Sequence, residues 1–192
     1  MENDLRRRCP WCGTDALYTA YHDNEWGRPE HNDRKLFEML ILEGMQAGLS
    51  WITILRKREN FRNAFDNFDP QKIAEYDDNK ISELLSNEGI IRNKRKINAA
   101  VSNAKAFLDI RRKFGSFDAY IWGFVGEVPI INSPKKLEDV PARTSLSDKI
   151  SADLKKRGFS FVGSTIIYSF MQSIGMVDDH LISCFCHTKL NK

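Results

Sequence analysis

Residues 81–108, ISELLSNEGIIRNKRKINAAVSNAKAFL, contain two segments with apolar side chains at helical spacing. A short segment around residues 88–91 separates them and includes Gly89, which is typical of a tight turn. The pattern therefore predicts two helices joined by a hairpin turn, within a boundary of about residues 81–108.

The second of these helices begins with a concentration of positive charge. Residues 89–113 contain eight Lys or Arg and one acid, and four of the basic residues lie close to the turn: Arg92, Lys94, Arg95 and Lys96. Basic side chains and free backbone N–H groups at a helix N-terminus together form a phosphate site. We predict that these four residues and Gly89 bind the backbone of DNA without reading its sequence. The alternative is a basic helix face that only contacts solvent.

The remainder of the chain is also predicted to be helical. Candidate N-caps and helix-ending glycines recur along it, at Asn32 or Asp33, Ser50, Asp69, Gly48, Gly115 and Gly158. Residues 163–175, GSTIIYSFMQSIG, are apolar on nearly every side, which indicates a buried helix. Residues 129–143 are expected to form a loop with at most a short strand. Strand patterns are nearly absent, so the predicted fold class is all-α.

Length and composition indicate a soluble globular protein. The 192 residues fit a single unit, 1–192, with 42% hydrophobic and 29% charged residues and a net charge of only +3. No apolar run approaches the roughly 18 residues that a membrane span needs, and the N-terminus MENDLRRRCPWC lacks the apolar segment of a secretory signal. We therefore expect a cytoplasmic protein with reduced thiols and no membrane partner. A monomer is expected because no spare apolar helix face is evident.

Thiol and imidazole side chains are concentrated near the two ends of the chain. Six of them are candidate ligands: Cys9, Cys12, His22, His180, Cys184 and Cys186. Zinc prefers four N or S ligands in a tetrahedron, so four of the six would join segments 9–31 and 176–187. The C-x-x-C spacing favours Cys9 with Cys12, whereas the sequence around His22 favours the histidine over Cys12. His180 and Cys184 share a face if their segment is helical.

No H-E-x-x-H motif occurs, so the predicted zinc is structural rather than catalytic. The alternative is a set of reduced thiols with no metal.

Glu43 lies on the apolar stripe of its predicted helix, after Leu36, Met39 and Leu40 at helical spacing. A carboxylate in such a place must be paired, hydrogen-bonded or shifted in pKa. The alternative is a half-exposed side chain near a helix end. Close by in sequence, residues 20–30, AYHDNEWGRPE, combine aromatic, imidazole and acidic side chains without any apolar period.

Several long and unusual blocks resemble the DNA-3-methyladenine glycosylase I family. They are AYHDNEWG, LFEMLILEG followed by QAGLSW, FDP, GIIRNKRKI, KKRGF followed by FVG, YSFMQ, and DH shortly before Cys184. The resemblance runs from about residue 8 to residue 186. It implies a helix–hairpin–helix DNA glycosylase fold with a structural Zn²⁺. It also implies base-excision repair of double-stranded alkylated DNA, in which a flipped 3-methyladenine is released and an abasic site remains. Such enzymes are monofunctional, with no lyase step.

The resemblance also implies roles for individual residues. The family's zinc ligands fall on Cys9, His22, His180 and Cys184. Its base-binding residues fall on Tyr18, Tyr21, Trp26, Glu43 and Trp51, and Glu43 is the expected catalytic residue, acting mainly by binding and orienting the base. The segment that enters the space left by the flipped base falls on Gly48 and Leu49.

Two features of the chain differ from the family pattern or stay open. Cys12 adds a C-x-x-C that the family does not need. The segment VDDH is similar to the V-D-x-H of other helix–hairpin–helix glycosylases, in which that aspartate is catalytic. Here Asp178 lies some 80 residues beyond the hairpin, so we expect at most a helper role. Asp23 and Glu25 are expected to cap a turn or to pair with Arg28.

Two other functions remain open from the sequence. One is a zinc-stapled module that binds damaged DNA without cutting it, and the other is a zinc hydrolase.

Overall fold

The computed structural model describes residues 6–188. Within this range the α-helices are α1 (Ala16–Asn24), α2 (Asp33–Gln46), α3 (Trp51–Ala64), α4 (Pro70–Ala74), α5 (Asp78–Ser86), α6 (Lys94–Phe114), α7 (Phe117–Trp122), α8 (Ser145–Lys156) and α9 (Ser164–Ser173). Two short parallel strands, β1 (Ile130–Ile131) and β2 (Val177–Asp178), pair with each other. The predicted all-α class is confirmed.

Local capping explains several helix boundaries. The Asn32 side chain accepts hydrogen bonds from the first backbone N–H groups of α2, and Asp69 does the same for α4, which has Pro70 at its first position. Gly115 ends α6 with φ +87°, and Gly158 follows α8 with φ +94°. These are left-handed conformations that glycine adopts without a steric cost.

The two helices predicted around the hairpin are α5 and α6. The turn between them is held from inside, because the Asn87 side chain accepts from the Gly89 N–H at 2.8 Å. It is also held from outside by Lys57, whose Nζ donates to the Glu88 carbonyl at 2.8 Å. Helix α6 begins at Lys94, because Asn93 caps it by accepting from the Lys96 N–H.

The structure departs from the sequence analysis in two local features. Residues 180–184 form turns rather than a helix, with the Cys184 N–H bonded to the Leu181 carbonyl at 2.7 Å. His180 and Cys184 are therefore brought together by a turn and not by helical periodicity. The sequence also gave no sign of α1, which Asp15 caps by accepting from two backbone N–H groups. This helix buries only Tyr21 and His22, so it has no apolar stripe to reveal it.

One continuous apolar core contains side chains from all nine of these helices and from β2. Helix α2 is buried along most of its length and packs against α9, α6 and α3. The expectation that residues 163–175 form a buried helix is confirmed by α9, which is buried at five of its ten positions. Among the described residues, no helix is both long enough and apolar enough to cross a membrane.

Candidate active site and metal centre

A cavity of about 310 Å³ is lined by residues of α1, α2, α3 and α9, among others. This volume is at the lower end of the range for small-molecule sites. The five side chains predicted to bind a base all line it: Tyr18, Tyr21, Trp26, Glu43 and Trp51. The sequence reasoning missed the other lining residues, which are Trp11, Gln46, Leu137, Val140, Ser169, Gln172 and Asp179.

Aromatic rings form much of the cavity wall. The Trp11 ring packs edge-on against Tyr18 and Trp26, with centroid distances of 5.1 and 4.9 Å. Tyr21 and Trp51 form a second pair at 5.5 Å. The Trp51 Nε1–H is buried and has no hydrogen-bond partner within the described part of the chain. The wall therefore offers π faces together with one unused donor.

Glu43 is the ionisable group that α2 contributes to this wall. It is only 4% exposed, so the half-exposed alternative is excluded. Burial raises the pKa of Glu43 to about 8, and a hydrogen bond with Ser173 acts in the opposite direction without cancelling that effect. Burial therefore favours the protonated form of Glu43 in the ligand-free protein.

Asp179 is a second acid at the cavity, and it is held very differently. Its carboxylate accepts hydrogen bonds from the Tyr168 hydroxyl, the Gln172 Nε2 and the Asn132 Nδ2, each at 2.7 Å. Tyr168 and Gln172 come from α9, and Asn132 follows β1. In the sequence Asp179 belongs to the acidic pair before His180, in which only Asp178 matches the aspartate of V-D-x-H.

A cluster of metal-binding side chains lies next to the cavity. The donor atoms of His22, His180, Cys184 and Cys186 all lie within 4.8 Å of one another. Three of these are predicted ligands, whereas the predicted ligand Cys9 is not in this group of four. The Cys9 sulfur nevertheless lies beside it: it accepts from the Leu181 N–H at 3.3 Å, and a hydrogen bond with Cys184 raises the pKa of Cys9.

Both histidines of the cluster are oriented by a carboxylate. The Nδ1 atom of His22 lies 2.8 Å from Asp23 Oδ1, and the Nδ1 atom of His180 lies 2.8 Å from Asp178 Oδ1. These contacts leave each Nε2 for the cluster, and the His180 Nε2 is buried without a partner among the described residues. Metal-bound histidines are commonly held by carboxylates in this way. With thiols as the remaining donors, the set fits zinc.

Glu25 ends α1 as its C-cap, as the capping alternative expected, but neither acidic side chain near the cluster pairs with Arg28. Asp23 pairs its carboxylate with Arg8, at 2.7 Å, as well as with His22. Arg28 instead donates to the Asp23 backbone carbonyl at 2.7 Å. Glu25, for its part, pairs with Arg58 rather than with Arg28.

Asp178 has a structural role and does not lie in the cavity wall. Its oxygens accept from His180 and Thr188, and it does not line the cavity. Burial alone would raise the pKa of Asp178, but these hydrogen bonds outweigh burial and lower the pKa to about 2.

The metal cluster and the cavity share one aromatic side chain. The Trp26 ring packs edge-on against His180 at 4.6 Å and against Trp11 on the cavity side at 4.9 Å. The next residue, Gly27, has φ +74°, and a Cβ there would lie 2.6 Å from the His180 ring. The close packing at this position therefore requires glycine, and the position of Trp26 depends on that of His180.

Comparison with known proteins agrees with this arrangement. A family model described as methyladenine glycosylase matches residues 11–187. The chain belongs to this family. It is 51% identical over 184 residues to a DNA-3-methyladenine glycosylase of Haemophilus influenzae, which covers 96% of this chain and 100% of the relative.

Solved structures of the same family have the same fold. A crystal structure of 3-methyladenine DNA glycosylase I has a TM-score of 0.92 and 53% identity, covering 94% of this chain and 100% of the other. A second structure concerns 3-methyladenine recognition by the Staphylococcus aureus glycosylase, with a TM-score of 0.91, 34% identity and coverage of 94% and 96%. The fold of this methyladenine glycosylase is thus the one that its sequence resemblance implied.

The predicted DNA-contacting surface of the methyladenine glycosylase has two exposed parts. One is the α2–α3 loop (residues 47–50), where Gly48 has φ +80° and the apolar side chain of Leu49 is 39% exposed. The other is the hairpin, where Arg92, Lys94 and Arg95 are exposed. Contact of these two exposed parts with DNA stays a prediction.

Lys96 differs from its basic neighbours. It is only 8% exposed, and its Nζ donates to the backbone carbonyls of Met45 at 2.8 Å and Ala47 at 2.7 Å. The ammonium is therefore committed to the C-terminal end of α2 and is not presented to a phosphate. Lys96 is one of the four basic residues predicted to bind DNA. In the structure it joins the hairpin to the α2–α3 loop.

Proposed function

We propose that this methyladenine glycosylase excises 3-methyladenine from alkylated double-stranded DNA in base-excision repair. It hydrolyses the N-glycosidic bond, releases the free base and leaves an abasic site. The observation that carries this proposal is the aromatic cavity with the buried Glu43 in its wall. Its relatives in H. influenzae and S. aureus bear the corresponding names.

The cavity suits a methylated, cationic purine. Tyr21 and Trp51 offer ring faces, and cation–π attraction is worth roughly 0.5–2 kcal/mol, a gain that neutral adenine lacks. A cationic base that enters beside Glu43 favours the ionised carboxylate, because opposite charges stabilise each other in a desolvated site. The unpartnered Trp51 Nε1–H is available to an acceptor on the base. We assign Glu43 the catalytic role of binding and orienting the base, with Tyr18 and Trp26 completing the wall.

Access of the base to the cavity requires flipping, which costs a few kcal/mol. We propose that Leu49 fills the space that the base leaves in the duplex, and the exposure of its side chain on the α2–α3 loop next to Gly48 supports this role. Arg92, Lys94 and Arg95 would hold the phosphates while the hairpin turn at Gly89 approaches the backbone. We propose no lyase step: a Schiff base needs an amine, and within residues 6–188 no lysine is among the side chains that line the cavity.

We also propose one structural Zn²⁺ per chain, held by Cys9, His22, His180 and Cys184. The Cys9 side chain is 1% exposed, whereas Cys186 is only partly buried and its thiol is directed at the carbonyls of His22 and Asp23. Cys186 is the alternative fourth ligand. The metal would join the chain ends and supply no chemistry, since none of these ligands lines the cavity. This argues against a zinc hydrolase.

The cell location and assembly state are part of the proposal. Four free cysteines suit a reducing cytoplasm, and we propose that the enzyme acts there as a monomer.

Chromatography of the bases released from dimethyl-sulfate-treated duplex DNA tests the activity. We expect release of 3-methyladenine while 7-methylguanine is retained, and a strong reduction in release for Glu43→Ala and Trp51→Ala. If the folded, zinc-loaded protein bound this DNA and released no base, it would be a damage-binding module and not a glycosylase.

A further inference from the structure

The side chains that line the cavity differ widely in exposure, which orders them from its bottom to its mouth. Tyr21, Glu43 and Asp179 are 3%, 4% and 2% exposed, so they form the bottom. Leu137 is 39% exposed, and among the lining residues that the structure describes it alone belongs to the exposed surface. A side chain that lines a cavity and also meets solvent lies at the opening. Leu137 therefore lies at the mouth of the cavity.

Leu137 belongs to a segment that we call the lip, residues 132–140, which lies between β1 and α8. Most of the cavity wall comes from α1, α2, α3 and α9, whereas the lip contributes Leu137 and Val140. Within the described part of the chain, these two are the only aliphatic side chains of the wall. The lip thus adds an apolar edge to a cavity that is otherwise aromatic and polar.

Hydrogen bonds hold the lip in place. The Asn132 N–H donates to the Asp178 carbonyl at 3.0 Å, and the Ile182 N–H donates to the Pro134 carbonyl at 2.9 Å. Within the lip, the Asp139 carboxylate accepts from two backbone N–H groups, at 2.9 and 3.1 Å. The leucine of the lip is therefore held at the mouth before any ligand binds, which reduces the entropic cost of a contact there.

We propose that Leu137 is a binding residue for the deoxyribose of the flipped nucleotide, and that it packs against the sugar while the base occupies the interior. This inference rests on the proposed glycosylase function. Base, sugar and phosphate follow one another in a nucleotide, so a base at the bottom of the cavity leaves its sugar at the mouth. The carbon face of the deoxyribose then covers a leucine that is exposed in the free protein.

Leu49 lies close to the same mouth and has a different role. Gln46 lines the cavity, and its Nε2 donates to the Leu49 carbonyl at 2.7 Å, which places the α2–α3 loop beside the opening. Leu49 has the same exposure as Leu137, 39%, but its side chain is not part of the cavity lining. Leu49 is therefore assigned to the duplex, and Leu137 to the nucleotide that leaves it.

The contact with Leu137 favours the flipped nucleotide and not the free base. The gain is proportional to the apolar area removed from water, and it needs a sugar attached to the base. A free base in the interior leaves Leu137 exposed. Substitution of Leu137 should therefore weaken binding of a nucleoside and of damaged DNA without weakening binding of the base alone.

The test uses the neutral 3-deaza analogue of 3-methyladenine, as the free base and as its 2′-deoxynucleoside, with binding followed by tryptophan fluorescence. Leu137→Ala should weaken binding of the nucleoside about fivefold and leave binding of the free base within about twofold of wild type. Single-turnover release of 3-methyladenine from subsaturating duplex DNA should fall by a similar factor. Leu137→Met retains an apolar side chain of similar volume and should restore both quantities.

Two other leucines serve as controls. Leu17 on α1 is 44% exposed and does not line the cavity, so Leu17→Ala should change neither binding nor release. Leu49→Gly should slow release from duplex DNA and leave nucleoside binding unchanged. If Leu137→Ala does not fold, Leu137→Thr takes its place with the same expectations.

Each outcome decides the proposal. Equal nucleoside affinities of wild type and Leu137→Ala would overturn it, and so would a matching loss of free-base affinity, which would place Leu137 against the base. The same loss in Leu17→Ala would show a general effect of removing a surface leucine and would also overturn it. Absence of 3-methyladenine release by the wild-type protein would instead count against the proposed glycosylase function.

Discussion

The buried ammonium of Lys96 provides a quantitative test of how the hairpin is connected to the α2–α3 loop. Lys96→Met retains the length of the side chain and removes the two donors to the carbonyls of Met45 and Ala47. A hydrogen bond to a charged group contributes about 1.5–3 kcal/mol, and a buried acceptor left without a donor costs about 1–3 kcal/mol. Burial of the ammonium is itself unfavourable, since it lowers the pKa of Lys96. Removing that buried charge therefore offsets part of the loss in the free energy of unfolding.

These opposing effects give an expected loss of about 2 kcal/mol in the free energy of unfolding for Lys96→Met. For a domain of this size, 1 kcal/mol corresponds to roughly 2–4 °C in Tm, so thermal unfolding should show a decrease of about 4–8 °C. Release of 3-methyladenine from duplex DNA should also fall, because the α2–α3 loop that carries Leu49 loses its connection to α6.

The salt dependence of DNA binding separates this role from phosphate binding. Each phosphate contact contributes about 0.9 to the slope of log K against log salt concentration. We expect Lys96→Met to leave the slope unchanged, whereas the exposed control Arg95→Met should reduce it by about one and leave Tm unchanged. A slope that falls by about one in Lys96→Met, with an unaltered Tm, would refute the reasoning and restore Lys96 as a phosphate contact.

Further measurements address the cavity, the metal and the loop. Glu43→Gln should slow excision only modestly, and a loss beyond roughly 10⁴-fold would show a general base instead. The raised pKa of Glu43 stabilises the native state at pH 5, and this contribution is lost as the pH rises towards 8. The difference in Tm, Glu43→Gln minus wild type, should therefore be larger at pH 8 than at pH 5. A difference that is the same at both pH values would contradict this. Cys9→Ser should lose zinc by metal analysis while Cys186→Ser keeps it, and the reverse result would exchange the two ligands. Leu49→Gly should slow excision from duplex DNA without changing affinity for free 3-methyladenine, and a matching loss of affinity would place Leu49 in the cavity instead.

Features with a local physical cause could be predicted from the sequence. Asn32 and Asp69 revealed helix starts because their side chains bond to the next few backbone N–H groups, and Gly115 revealed an end because it adopts a left-handed conformation. Glu43 was recognisable because a charged residue interrupts a regular apolar stripe. In each case the information lies within about one or two helical turns of the residue.

Features created by distant parts of the chain could not be predicted in this way. Lys96 has the same local sequence context as Arg95, yet its two partners lie about fifty residues earlier in the chain. Asp179 was overlooked for the same reason, because its donors come from α9 and from the segment after β1. The charge of a side chain can be read from sequence, but whether it meets solvent, backbone or ligand depends on tertiary packing.

The segment VDDH shows how tertiary contacts divide roles among adjacent residues. Asp178 in strand β2 lies opposite Ile131 in strand β1. The Asp178 side chain orients His180 in the cluster of histidine and cysteine side chains. The next residue places its carboxylate at the cavity, and His180 itself supports Trp26 in the cavity wall. Loss of the proposed metal should therefore affect base binding through Trp26, although none of the proposed ligands lines the cavity. The proposed metal site and the proposed base-binding cavity are thus connected by three consecutive side chains and one shared aromatic ring.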